Sequence, residues 1–403
     1  MSLIGLTVRA LSTSTPALTS NVRLCFKAAV VYDDAARNDL DDGTIEDNWA
    51  SGSSQTLFGS RIIATSGGVA VPFDTHLGDG LGTGDPGSGC TASVPVTHSG
   101  QFFSVSYTVY SKGIIQGNEL YVQNADSGNS YASFPGTLYY SCAGGGCNLA
   151  TTVTIAPSGA MPIAMWQVYA ADAYSLFRHA GGLTSSIFTV RLSNDPNYDS
   201  EYNRGTGIIS IRQVDAKERF TDSHELGHRI AHLRGLPTGD CALDDAQCPS
   251  ISGSHSMGSE EHQSCSFSEG FAHFYAADVW NSHYQQDCVF QYYKYTSLPA
   301  VDCEASPNDL SDPVSFPLAM LENTCGSGIN DHGVEVDWLR TFWDVHTNGS
   351  SPPTFNDMMN WMQSAFFINL TPPFDELDGE ANAVGGTLNQ NWDAAADGNG
   401  INH

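Results

Sequence analysis

Two histidines and a glutamate fall within five residues, His224-Glu225-Leu226-Gly227-His228, and they carry the most explicit chemistry in the chain. On an α-helix, residues four apart lie on one face about one turn apart, so His224 and His228 can point at one metal ion. Imidazole suits zinc, and a catalytic zinc takes a third protein ligand while one position stays open for water. Glu225, beside the first ligand, is placed to take a proton from that water. The plain alternative is a surface helix that carries these residues by accident, since the five-residue pattern is short. The flanks favour a helix: Thr221 or Asp222 suits an N-cap, and Gly235 and Pro237 stop the run after Leu233.

The third ligand must come from elsewhere. In the metzincin pattern a glycine and a third histidine follow, but Ala231 and Arg234 occupy those positions, and Ser256-Met257-Gly258 is only a faint trace of a Met-turn. A glutamate on a downstream helix fits better, within Ser268-Glu269-Gly270-Phe271-Ala272. Glu269 has a second reading, because Ser266-x-x-Glu269 also matches a capping box that only closes a helix start. With these two motifs the chain resembles the gluzincin metallopeptidases. Ser-Glu-Gly-Phe-Ala is similar to the Asn-Glu-Gly-Phe-Ala of aminopeptidase N relatives and the Glu-Gly-x-Ser-Asp of fungalysins and thermolysin-like enzymes. The resemblance covers roughly residues 160–350 and rests on two short motifs.

The resemblance implies that His224, His228 and Glu269 bind zinc, with Glu225 as general base. It also implies an oxyanion donor from a later segment. Asp331-His332-Gly333-Val334-Glu335-Val336-Asp337-Trp338 is similar to a fungalysin stretch that opens with a histidine, which makes His332 the candidate; a helix-capping surface histidine is the other reading. Two departures stand out. A polar insertion, 236–264, separates the two motifs. Four residues after the glutamate, where thermolysin-like families place an aspartate that orients a zinc-bound histidine, this chain has His273; Asp278, further along the same helix, is a possible substitute.

These residues need elements to position them. Residues 1–157 read as an all-β, sandwich-like accessory domain: Phe103, Val105, Tyr107 and Val109 alternate with Ser104, Ser106, Thr108 and Tyr110. Further strands are expected at 22–32, 61–65, 119–123 and 151–155, with Gly/Asp/Ser-rich loops between them. From 158 to 403 the pattern becomes mainly helical with a small sheet, giving an α+β chain overall. Ile163, Trp166, Ala170, Ala173 and Phe177 recur at helical spacing before Gly181-Gly182. Strands follow at 187–192 and at 207–211, the second as the edge strand, and later helices at 334–346 and 354–367. The acidic, Gly/Asn-rich tail, 372–403, is expected to be poorly ordered.

The chain of 403 residues carries a net charge of −28, from 44 acidic and 16 basic residues. Such a surface repels nucleic acid and anionic membranes, and no apolar run reaches the length of a membrane span. The acidic loop 33–47 suggests calcium, but its Asp/Gly spacing does not fit an EF-hand, and a solvated acidic loop is expected there. No signal peptide is legible. Ten cysteines without a Cys-x-x-Cys knuckle read as disulfides and hence as a secreted protein. Neighbours such as Cys142 and Cys147, Cys241 and Cys248, or Cys288 and Cys303 lie close in sequence, while the connectivity stays open. The function expected is a secreted zinc peptidase acting on peptide or protein substrates. Two other readings fit the same residues: a zinc hydrolase of a non-peptide amide, and an adhesion or binding protein with a structural or degenerate zinc site. The intact Glu225 argues against degeneracy, since a structural site has no need of it.

Overall fold

The computed structural model describes residues 17–33, 54–67, 69–71, 76–78, 89–143, 145–237, 260–281, 289–290, 301–302, 332–348, 351–366, 373–399 and 401. In chain order the longer elements are β1 (Ala17–Ala28), β2 (Ser60–Ser66), β3 (Val94–Ser99), β4 (Phe102–Ile115), β5 (Asn118–Asn124), β6 (Ser133–Ser141) and β7 (Asn148–Ile155). Helix α1 (Ala160–Arg178) follows, then β8 (Ile187–Ser193), β9 (Glu201–Asn203), β10 (Ile208–Arg212) and α2 (Arg219–Leu233). Strand β11 (Glu260–His262) leads into α3 (Gln263–Trp280), and β12 (His332–Val334) into α4 (Glu335–Thr347). Helices α5 (Phe355–Ala365), α6 (Pro373–Val384) and α7 (Gly386–Asn399) complete the chain. The fold is mixed α/β.

Alternation in the strands sets up two faces. In β1, Val22, Leu24, Phe26 and Ala28 are fully buried; in β4, Phe103, Val105, Tyr107 and Val109 point inward. Each large apolar side chain taken from water contributes roughly 1.5–3 kcal/mol, so a one-residue slip of either strand would lose the set. Strand β1 pairs in parallel with β7 and antiparallel with β3 and with Gln55–Thr56, which makes a four-stranded sheet. It meets the larger sheet through aromatic rings: Phe26 lies edge-on to Tyr107 at 5.0 Å, and His98 stacks on Phe103 at 4.2 Å.

The larger sheet has nine strands in the order β9-β10-β8-β5-β4-β2 and then Val69–Ala70, with β6 also on β4 and Ser130–Tyr131 on β5. Strands β5 and β8 pair in parallel, Leu120 opposite Phe188 and Val122 opposite Val190. One sheet is therefore built from both sides of residue 157, where the composition changes. The sheet served by the helical half is large and shared, rather than small and its own. Such a parallel pair needs a crossover, and α1 is part of it. Helix α1 is buried from Ala164 to Leu176, because it lies between β4, β5 and β8 on one side and α2 on the other.

Strand β10 is not the edge strand that its position in the sequence suggests. It has β8 on one side and the antiparallel β9 on the other, so Glu201–Asn203 forms the edge. The tail also departs from expectation. Its Gly and Asn residues are outweighed by Leu377, Ala381, Trp392, Ala395 and Ala396, which recur at helical spacing and are all buried. Two glycines at positive φ, Gly385 and Gly386, turn the chain between α6 and α7. Trp392 packs against Trp361 and Phe374 and donates its indole N–H to Asp378.

Disulfides join Cys25 to Cys90 and Cys142 to Cys147, and Cys265 is also disulfide-bonded. Such bonds are compatible with an extracellular protein. Cys241, Cys248, Cys288 and Cys303 lie outside the described residues, as do most of the 236–264 insertion and of the acidic loop 33–47. Asp33, at the start of that loop, pairs with Lys217. Among the described residues, no helix is long and apolar enough to cross a membrane.

Candidate metal centre

Helix α2 begins earlier than its sequence signals suggest. Its N-cap is Glu218, and Thr221 and Asp222 lie in the first turn, both buried. Arg219 is driven fully inside because its guanidinium sits 4.5 Å from the Trp280 ring of α3. At the other end Gly235 adopts φ 73°, the left-handed turn that stops the helix. Helix α3 is buried on every side from Cys265 to Trp280, so its polar residues must meet partners inside the protein.

Two glycines let the helices approach. A Cβ on Gly227 would stand 3.1 Å from the Ala272 backbone and from the Tyr275 side chain, which packs α2 directly on α3. A Cβ on Gly270 would stand 2.4 Å from the Trp338 Cβ and 2.7 Å from the Glu335 carbonyl, which packs α3 on α4. Each glycine is next to a residue of the centre in sequence. The close approach is what brings the donor atoms together.

Nε2 of His224 lies 3.1 Å from Nε2 of His228, and these atoms lie 3.2 and 3.3 Å from Oε2 of Glu269. An ion held tetrahedrally at about 2.0–2.1 Å requires donors roughly 3.3–3.4 Å apart. The triangle already has nearly that size. His273 offers a further nitrogen, and His224, Glu269 and His273 form a buried group, all within 4.8 Å of one another, that could hold a metal ion. Of the two histidines that complete a donor set with His224 and Glu269, His228 fits better. Its Nε2 stands 3.1 and 3.3 Å from the other two donor atoms, near the tetrahedral spacing; the His273 Nε2 bonds Glu335 Oε2 at 3.1 Å, which leaves Nδ1 as that ring's donor.

The surroundings hold these side chains in place. Ser268 Oγ lies 3.4 Å from the other ring nitrogen of His228, and the His273 ring packs against that of His224 at 4.3 Å. Burial, helped by the neighbouring His273, pushes His224 well below its ordinary range, so it is the neutral imidazole that a metal ligand must be. Burial also opposes a charge on His228, but the Glu269 carboxylate outweighs it and raises that group to about 9, so a metal ion binding there displaces a proton. Glu225 is pushed up to about 8, by burial first, against the opposing charge of His228. The backbone N–H of Tyr202, in the edge strand β9, donates to the Glu225 carboxylate. The Tyr202 hydroxyl bonds His232 two turns further along α2, and Arg229 reaches the same oxygen.

The capping-box reading of Glu269 does not hold. Helix α3 starts at Gln263, Ser266 lies inside it, and its hydroxyl donates to the Gln263 carbonyl. Asp278 does not orient His224 either. Its two oxygens take His179 and His346, each at 3.0 Å, which ties α3 to the end of α1 and to α4. The carboxylate near the centre is instead Glu335, through His273. Glu335 has no task that its sequence context assigns; the signal that points to it is its place within the His332–Trp338 motif. His332 itself lies in β12, where its backbone is opposite His262 of β11, and its side chain is outside the description. No protein-family model, curated protein or solved structure matches this chain, so the chemistry of the centre rests on its own donor atoms.

Proposed function

We propose that the chain is a secreted zinc-dependent peptidase of gluzincin type. One observation carries the reading: two imidazole nitrogens and a carboxylate oxygen stand 3.1–3.3 Å apart, with the buried Glu225 on the same helix as the two histidines. His224, His228 and Glu269 would hold the ion, which supplies Lewis acidity toward water and a carbonyl when bound. Glu225 takes a proton from the attacking water as its oxygen joins the carbonyl carbon. It then gives that proton to the amide nitrogen as the C–N bond breaks. A side chain with an affinity for protons raised by burial suits both halves of this exchange. Strand β9 has one side unpaired among the described residues, so an extended peptide can add to it beside Glu225. His332 is the proposed oxyanion donor, by its resemblance alone.

Metal analysis of protein purified without added metal, together with casein hydrolysis before and after chelation, tests the assignment. One zinc per chain and hydrolysis that chelation abolishes and zinc restores are expected. Hydrolysis indifferent to chelation would end the proposal. A structural centre is the second reading, favoured by His273: as a fourth ligand it would close the site. In that case chelation lowers the unfolding temperature and no peptide is cut at all.

A further inference from the structure

The outer face of the nine-stranded sheet carries a second feature, unconnected with the metal centre in its chemistry. Around β2, β4 and β5 opens a cleft of about 310 Å³ lined by Arg61, His76, Lys112, Gly113, Glu119 and Tyr121. Lys112 and Tyr121 are direct cross-strand partners. The Lys112 ammonium lies 4.1 Å from the Tyr131 ring centre and 5.8 Å from that of Tyr110, so two aromatic faces fix it in position. Glu119 accepts a hydrogen bond from the Tyr121 hydroxyl.

The charge balance here is opposite to that of the rest of the molecule. Acidic residues outnumber basic ones 44 to 16, and two cations elsewhere find acids: Arg212 pairs with Asp215 at 2.9 Å, and Lys217 pairs with Asp33. Arg61 and Lys112 form no ion pair among the described residues, although both line one cleft. Partial burial, and then the charge of Arg61, hold Lys112 below its ordinary range. Two cations that repel each other in a polyanionic protein leave a place for an anion.

We propose that this cleft binds the carboxylate of a small ligand, no larger than one sugar or one amino-acid unit. The guanidinium of Arg61 matches a carboxylate in a fork, and Lys112 adds a point charge. The volume is at the lower end of ligand pockets, roughly 300–1,000 Å³. Glu119 in the same cleft disfavours a doubly charged phosphate. It can accept from an O–H or N–H beside a ligand's carboxylate, as found in a uronic acid or at a peptide C-terminus.

Calorimetric titration of the full chain with D-glucuronate and with N-acetyl-L-alanine tests this, using glucose, N-acetyl-L-alaninamide and inorganic phosphate as controls. At least one carboxylate should bind saturably with a Kd of about 1 mM or below, and the neutral counterparts should not; whichever binds tighter identifies the source. Arg61→Gln and Lys112→Gln should each weaken binding by about tenfold or more, equivalent to losing one charge-assisted contact. Arg61→Lys and Lys112→Arg should restore much of it, with unfolding temperature and metal content unchanged throughout. The proposal is overturned if neither carboxylate binds, if neutral analogues or phosphate bind as well, or if both glutamine variants bind like the parent.

Discussion

Glu225 and His224 are adjacent in sequence but leave the helix about 100° apart, and this angle separates a base from a ligand. Glu225→Gln keeps the shape and the hydrogen bond from Tyr202 but removes basicity. Metal content and fold should persist while peptide hydrolysis falls by ~10²–10⁴; a variant that loses its metal would show Glu225 to be structural. At this scale the sequence was informative where the geometry is local. His224, Glu225 and His228 follow from one helical turn. Glu269 follows from a second motif, and its donor oxygen arrives within 3.3 Å of both histidines. His273 with Glu335 was not legible as a pair, because sixty-two positions separate them and their meeting depends on how α3 packs on α4. Asp278 is available by its spacing, yet it is taken by His179, which caps the end of α1, and by His346 of α4.

Helices α2, α3 and α4 place the centre, and their spacing is set by Gly227 and Gly270. The two sites are not equivalent. A methyl at Gly227 meets neighbours at 3.1 Å and asks for a small adjustment; at Gly270 it meets Trp338 Cβ at 2.4 Å and the backbone at 2.7 Å. Gly270→Ala should therefore push α3 from α4, destabilise by about 1–3 kcal/mol and weaken metal binding more than Gly227→Ala does. Chemical denaturation and competitive chelator titration read the two effects, and equal behaviour of the variants would refute the packing account. The same helices are tied at Asp278, whose charge burial opposes but His179 and His346 hold below the ordinary carboxylate range. His346 is raised despite burial, because Asp278 faces it. A raised histidine contributes stability that is full below its unfolded value, about 6.5, and is lost as pH rises through the folded value. A depressed aspartate contributes above its unfolded value, about 3.9, and loses that as pH falls. The tether should be strongest between these limits. His346→Gln should lower the unfolding temperature more at pH 5.5 than at pH 8.5; a cost that grows with pH would mean that the ion pair is not what stabilises the junction.

At the scale of the whole molecule, the change of composition near residue 157 invites a cut that the sheet does not allow. The strand periods on both sides were legible, since alternation is a local property. Which strand pairs with which was not: β5 and β8 meet across more than sixty residues, and nothing in either strand names the other. The consequence is physical. Helix α1 buries Trp166, Tyr169 and Tyr174, and the Tyr169 hydroxyl donates to the carbonyl of Phe58, a residue of the N-terminal half. Phe58 also packs against Tyr174 and stacks on Phe177. A fragment comprising residues 158–403 would expose this face of α1 and leave β8 with a bare edge where β5 belongs, which favours aggregation over folding. Because α2 packs on α1, the metal centre would lose its support as well. Expressed alone, the fragment should show little cooperative unfolding by circular dichroism and should bind metal far below one equivalent. Addition of fragment 1–157 should restore both, through the β5–β8 pairing and the Phe58 contacts. A fragment that unfolds cooperatively and holds one metal ion by itself would show that the shared sheet is an association of two independent units.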